Sequence, residues 1–192
     1  MKLQQHLKVT WFAALILLVF GFTAFAQEEH KREFIQATAQ GTSTQLGRMI
    51  SIDLTINEHS TADDQKALIE AFEQKGSEGV ANALHKMHSK GRIAITGTLG
   101  YDVAYIREFK MPDGSRKIRV ITDRPITFGE AWSASRSQDY NLSALEIIIS
   151  EEKGKSHGTL LPACQFKIDK EKALQIETFQ NPWKLMNVQV RK

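Results

Sequence analysis

Residues 48–57 read RMISIDLTIN, a stretch in which apolar and polar side chains alternate from Ile50 to Asn57. The four apolar residues from Ile50 to Ile56 would point to one side of an extended chain, and the polar residues between them to the other. A period of two is typical of a β-strand with one buried face and one wet face. Residues 34–40 alternate more weakly, and the glycines in 41–47 suit a turn, so we expect a hairpin of two strands.

A helical section follows this hairpin. Ser60 and Thr61 are capping residue types, and the two aspartates after them favour the start of a helix. Gly76 predicts the end of this first helix, while Ser77 can cap a second helix that ends by Gly91. Both segments carry apolar residues at helical spacing, so we expect two helices packed on a sheet.

From residue 92 onward the pattern is that of strands almost to the end of the chain. We predict strands at 92–100, 101–111, 116–123, 126–131, 142–150, 156–169, 174–179 and 184–190. Their connections are too short for parallel crossovers, so neighbouring strands must be antiparallel. Residues 101–111 and 145–149 are apolar on both faces, which predicts strands covered on both sides. The fold class is therefore α+β, a large antiparallel sheet or partly closed β-barrel with a helical hairpin packed on one face or end.

The first 26 residues have the order of a secretory signal peptide. Two lysines precede an apolar run over 9–22, and Ala24 and Ala26 supply the small residues that a signal peptidase accepts. We predict cleavage between Ala26 and Gln27, with export of a soluble protein to the periplasm or the medium. The alternative is an uncleaved anchor, because the apolar stretch approaches the roughly 20 residues that span a membrane.

Cleavage would leave a flexible leader at 27–32 and a single domain at 33–192. Two of the 25 basic residues and none of the 22 acidic residues lie in the first 26, so the mature chain has 23 basic and 22 acidic residues. This balance argues against a general nucleic-acid binder, which needs clustered positive charge. A domain of this length buries about two-thirds of its unfolded surface and needs no disulfide or metal to hold its core.

The sequence indicates neither a metal site nor a cofactor. His85 and His88 are three residues apart on the second predicted helix, which is a possible zinc spacing, but no third ligand lies nearby. We interpret both as helix-end residues that complement the dipole. Cys164 is the only cysteine and lies in an apolar stretch, so we interpret it as a small buried hydrophobic residue.

The segment that begins at Asp123 carries the candidate ligand-binding residues. Pro125 must interrupt a strand ladder or lie at a sheet edge, so we expect a strand end or bulge that redirects the charges of Asp123 and Arg124. Arginines can pair with an anionic group while aromatic rings stack on a ligand. The alternative is a structural Asp–Arg pair that holds a loop. The candidate set is Asp123, Arg124, Glu130, Trp132, Arg136 and Tyr140.

A basic cluster lies at the predicted hairpin tip around residue 113. Arg116, Lys117 and Arg119 follow the turn, and Lys110 precedes it. We interpret the cluster as solvated protection of a sheet edge. The alternative is a binding surface for an acidic partner.

Three segments resemble those of a group of small exported bacterial proteins that have no assigned activity. They are ITGTLG at 95–100, ITDRPI at 121–126 and NPWKL at 181–185. The resemblance covers most of the mature chain. It implies export and carries no catalytic residues.

The leading hypothesis is a non-enzymatic exported domain that binds a small or lipid-like ligand or a protein partner, through the sheet interior or the loop at 124–140. The first alternative is an extracytoplasmic hydrolase that uses Asp123, Glu130 or Asp139, with His157 as a base. The second is a structural or envelope-assembly protein. The sequence leaves the oligomeric state open.

Cleavage is checked by intact mass spectrometry of the protein recovered from its own exported fraction. We expect a mass that begins at Gln27, and we expect Ala26→Leu to block processing because the bulky side chain does not fit a small-residue site. A mass that retains residues 1–26 in the unaltered protein contradicts cleavage and favours the anchor.

Overall fold

The computed structural model describes residues 32–126, 140–168, 174–179 and 181–191. The predicted signal peptide at 1–26 and most of the predicted strand at 126–131 lie outside these residues. In chain order the elements are β1 (Glu33–Gln40), a short 3-10 turn (Ser43–Gln45), β2 (Met49–Ile56), α1 (Ala62–Lys86), β3 (Gly91–Ile95), β4 (Tyr101–Val103), β5 (Tyr105–Lys110), β6 (Arg116–Thr122), β7 (Leu142–Ile149), β8 (His157–Ile168), β9 (Leu174–Thr178) and β10 (Trp183–Arg191).

The described strands form one antiparallel sheet in the order β4-β3-β2-β1-β10-β8-β7-β6-β5, and β9 pairs with the far half of β8. The two end strands, β4 and β5, are consecutive in the chain with only Ala104 between them. The sheet therefore curls into a nearly closed barrel with one seam, which confirms the α+β fold class. The single strand predicted at 101–111 is in fact two, because the bend at Ala104 lets the first part pair with β3 and the second with β6.

Apolar side chains occupy the interior of the barrel. Every second residue of a strand faces inward, so β1 contributes Ile35, Ala37 and Ala39 while β2 contributes its isoleucines and Leu54. Trp183 and Leu185 of β10 complete the same cluster. Small barrels are commonly filled in this way by their own side chains.

A β-bulge in β10 keeps apolar residues facing the core along the whole strand. The register between β1 and β10 shifts by one residue next to Asn187, whose φ is 51°. Leu185 therefore faces the core before the bulge, and Val188 packs against the same core after it. Without the extra residue, the polar Asn187 would take an inward position.

The helix α1 packs on the outside of the barrel. Its buried residues Leu68, Val80 and Leu84 form a second apolar cluster with outward side chains of the sheet, among them Tyr105 and Cys164. The strands with apolar residues on both faces therefore have the barrel core on one side and α1 on the other.

The ends of the helical segments follow the predicted signals. Thr61 and Asp64 form a capping box, in which Thr61 Oγ1 accepts from the Asp64 N–H at 3.1 Å and Asp64 Oδ2 accepts from the Thr61 N–H at 2.7 Å. Lys75 and Gly76 leave helical geometry, and the φ of Gly76 is +59°, a conformation that favours glycine. The break at Gly76 is therefore confirmed, although the last helical residue is Lys86, short of the predicted end by Gly91.

The bulge gives a stability prediction. Asn187→Val should lower the free energy of unfolding by about 1–2 kcal/mol, because a β-branched residue tolerates positive φ poorly, whereas Asn187→Gly should not lower it. The control is Gln189→Val on the same strand, at an ordinary paired position opposite Gln36. Chemical denaturation measures all three, and equal stabilities for Asn187→Val and Gln189→Val would contradict the role of the bulge.

Candidate functional site

A groove of about 1190 Å³ lies between α1 and the outer face of the sheet. It crosses the strands from β5 to β9, in the order in which β5, β6, β7, β8 and β9 neighbour each other. This volume is of the size that takes a small organic ligand. We call it the groove.

The floor of the groove consists of two rows of side chains that run across the strands. The first, here the apolar row, pairs Tyr105 with Ile121, Ile121 with Ala144, and Ala144 with Leu161. These side chains pack against the cluster under α1. The second, here the polar row, lies one strand repeat away: Arg119, Glu146 and Thr159 line the groove, and Arg107 continues the row on β5 beside the lining.

Apolar side chains also form the walls of the groove. On the helix side they are Leu68, Ile69, Phe72 and Val80, and at the far end they are Phe166, Ile168 and Ile176. About half of the surface of Ile69, Ile168 and Ile176 is accessible to solvent. A contiguous exposed apolar surface of this kind marks a binding site more often than isolated exposed residues do.

Charged groups are unevenly paired along the polar row. Arg119 Nε donates to Glu146 Oε2 at 2.7 Å, and Lys117 Nζ lies 3.5 Å from Glu146 Oε1. Burial by itself would raise the pKa of Glu146, but the hydrogen bond from Arg119 and the charge of Lys117 hold it below its usual value. Arg107 donates instead to the neutral oxygens of Gln65 and Thr61.

Arg116, Lys117 and Arg119 do not protect a sheet edge, because β6 is paired on both sides, whereas Lys110 lies on β5, an end strand of the sheet. Arg116 points towards the barrel interior, where Nη2 donates to Glu33 Oε1 at 2.5 Å and Nη1 donates to Glu108 Oε2 at 2.9 Å. His59 Nε2 lies 3.7 Å from the same oxygen of Glu108. Glu33, His59 and Glu108 have ligand-type atoms within 4.8 Å of one another, but Arg116 already binds both carboxylates. We therefore interpret this group as a polar plug at one end of the barrel.

Of the predicted ligand-binding residues, the structure describes Asp123, Arg124 and Tyr140. Glu130, Trp132 and Arg136, together with Asp139, lie outside the described residues. Tyr140 packs against Phe179, with ring centroids 5.5 Å apart.

Asp123 and Arg124 form a tight ion pair beside the end of α1. Arg124 donates to Asp123 from Nε and Nη2, each at 2.9 Å, and His85 Nδ1 lies 2.9 Å from Asp123 Oδ2. The hydrogen bond from Arg124 lowers the pKa of Asp123 against the opposing effect of burial, and His85 adds to the lowering. The cavity here is only about 200 Å³.

Side-chain hydroxyls hold the chain at the proline that ends β6. Thr122 Oγ1 donates to the carbonyl of Arg124 at 2.6 Å, and Ser143 Oγ donates to the carbonyl of Pro162 at 2.6 Å. The Ile126 N–H in turn donates to Ser143 Oγ at 2.7 Å. The ladder therefore gives way to side-chain bonds around Pro125, as the sequence predicts.

The hydrolase alternative needs a base near Asp123, and His157 is not there. His157 pairs with Ile148 at one end of β7, whereas Asp123 follows Thr122, which pairs with Ser143 at the opposite end. The imidazole beside Asp123 belongs to His85 instead.

Cys164 is fully buried in the cluster under α1, as predicted. Burial raises the pKa of its thiol to about 12. The thiolate that a nucleophile requires is therefore scarce at neutral pH.

Comparison with known protein families, with curated proteins and with solved structures found no match. No helix in the described part of the chain combines the length and the apolar character that a membrane crossing needs.

Sequence reasoning did not identify the groove as a site. Its residues come from α1 and five strands, and each segment has the pattern of an ordinary strand or amphipathic helix. The available signal was the apolar character of both faces at 101–111, but this pattern fits a fully covered strand as well as a partly covered one.

The Asp123 ion pair gives a pH prediction. Arg124→Gln should raise the pKa of Asp123 towards the ordinary aspartate value of about 3.9. A carboxylate whose folded pKa is depressed adds stability above its unfolded pKa and loses it as the pH falls through the folded value. Protonation of Asp123 in acid should therefore destabilise the variant less than it destabilises the unaltered protein.

The measurement is an NMR titration of the Asp123 carboxyl carbon. The control is Lys155→Gln, which removes a lysine paired with Glu152 on the turn between β7 and β8 and should leave the pKa of Asp123 unchanged. An unchanged Asp123 pKa in Arg124→Gln would show that the ion pair does not set it.

Proposed function

We propose that this protein is a non-enzymatic binding protein whose groove takes a small lipid-like molecule. The observation that carries the proposal is the apolar groove itself, which lies open between α1 and the outer face of the sheet. Export, as predicted from residues 1–26, is part of the proposal.

The packing favours the outer groove over the barrel interior as the site. The interior holds the protein's own side chains, with Ile118, Leu160 and Ile106 fully buried there. Outside, by contrast, the apolar row has only partial cover, and Ile69 on the helix side faces both the groove and solvent. Transfer of an alkyl or aromatic ligand from water to such a surface is favourable by about 25 cal/mol per Å².

The composition of the groove lining supports a binding role, and the one cysteine of the chain offers it no reactive thiol. The thiol of Cys164 is buried with a raised pKa. The groove lining offers mostly apolar contact together with four charged residues, Glu73, Arg119, Glu146 and Lys167, which is the composition of a binding site.

The test uses the neutral apolar fluorophore N-phenyl-1-naphthylamine. We expect saturable binding with a rise in fluorescence, and we expect Ile69→Glu to weaken it about fivefold or more, because it replaces apolar contact in the groove with a charge. Ile69 is 49% exposed, so the fold should tolerate the change.

The matched control is Leu99→Glu, at a position that is 87% exposed on the turn between β3 and β4 and does not line the groove. It should change the affinity by less than about twofold. Absence of saturable binding, or equal weakening by both substitutions, would count against the groove as the site.

A further inference from the structure

Arg119 lines the groove, and two further basic side chains, Arg107 and Lys117, contact residues that line it, Gln65 and Glu146. Arg107, Lys117 and Arg119 lie on the outer face of β5 and β6, and the acid paired with them is Glu146. Lys117 and Arg119 share this single carboxylate, while the ion pairs of the described residues give Arg107 no acidic partner.

The two arginines are direct neighbours across the sheet. Arg107 and Arg119 occupy paired positions on β5 and β6. Their guanidinium carbons lie 5.6 Å and 5.3 Å from the centroid of the same Phe109 ring. Like charges in directly opposite positions destabilise a sheet, so this arrangement has a cost that a bound anion would relieve.

The ring and the helix hold these cations beside the groove. Phe109 lines the groove and attracts both guanidinium groups, and Gln65 lines it from the helix while accepting from Arg107. Arginine presents several N–H donors in a plane, which suits the two oxygens of a carboxylate or phosphate.

Basic side chains lie next to an apolar surface here, and this arrangement fits a ligand that has a charged head and an apolar chain. The polar row lies beside the apolar row, and the exposed apolar residues Ile168 and Ile176 lie at the far end, on β8 and β9. A chain that lies over the apolar row can therefore place an anionic head beside Arg107 and Arg119.

We propose that the ligand of the groove is an anionic single-chain amphiphile, with its carboxylate or phosphate head at Arg107 and Arg119 and its alkyl chain along the apolar row under α1. This inference rests on the proposed function, since it specifies the ligand class of the same groove.

The test is displacement of N-phenyl-1-naphthylamine by three ligands of equal chain length that differ in the head: dodecanoate, dodecanol and dodecylammonium, each below its aggregation concentration. We expect dodecanoate to displace the fluorophore at a concentration about tenfold lower than dodecanol, because charge-assisted hydrogen bonds to arginine add to the apolar contact. Dodecylammonium should be the weakest.

The decisive variant is Arg107→Gln with Arg119→Gln. It should reduce the advantage of dodecanoate over dodecanol to about twofold or less, with both ligands measured against the fluorophore affinity of the variant itself. Arg107→Gln alone disturbs the fold least, since its hydrogen-bond partners are neutral, and it should remove part of the advantage. Arg92→Gln, at an arginine paired with Asp102 and not lining the groove, should preserve the full advantage.

The outcomes separate the two proposals. If the fluorophore binds but the three ligands displace it equally, or dodecylammonium is the best, the anionic head is wrong and the apolar groove stands. If the fluorophore does not bind and no ligand is taken up, the proposed function itself fails. Loss of the dodecanoate advantage in Arg92→Gln as well would show that overall charge, and not these two arginines, selects the head.

Discussion

Packing of the barrel interior constrains both faces of the sheet. Because successive side chains of a strand point to opposite faces, once Ile118 and Val120 face inward, Arg119 and Ile121 must face outward. The same alternation on β5, β7 and β8 places Tyr105, Ala144 and Leu161 outside, beside Ile121. Apolar side chains on the outer face need cover, and α1 provides it. The groove is the part of that outer surface that the helix leaves open.

The break in α1 shapes this cover. With Gly76 at a positive φ, the helix turns at the strands furthest from its start, where Ser77 Oγ accepts from the N–H of Phe166 at 3.2 Å. Gly79 follows closely, and a side chain there would meet the carbonyl oxygen of Ala71 at 2.1 Å. The two helical segments therefore lie tightly against each other at the break. An unbroken helix would run past the sheet and leave a larger apolar surface in water.

Charged groups divide into those that have a full complement of partners and those that do not. Arg116 spans the barrel end between two carboxylates, and Arg124 is held by Asp123 through two hydrogen bonds. The Asp123–Arg124 pair is neutral as a unit, and Arg116 with its two carboxylates carries a net negative charge, so neither group gains from a further anion. Arg107 is different, since its hydrogen-bond partners are uncharged oxygens. An anionic group gains most from binding at an arginine that lacks an acidic partner. The number of basic residues in a stretch of sequence does not show where such an arginine lies.

Local pattern was sufficient to predict most of the described strands, the helix cap at Thr61, the break at Gly76 and the α+β class, because each depends on residues close together in the chain. It was not sufficient to predict that residues 101–111 bend at Ala104, since the bend follows from pairing with two different strands. The groove and the partners of its arginines depend on register between distant segments, which places Arg107 opposite Arg119 and Glu146 between Arg119 and Thr159. Alternation in the chain thus specifies which side chains share a face, while folding specifies which of them meet, because contacts across a sheet depend on register and curvature that no single segment encodes.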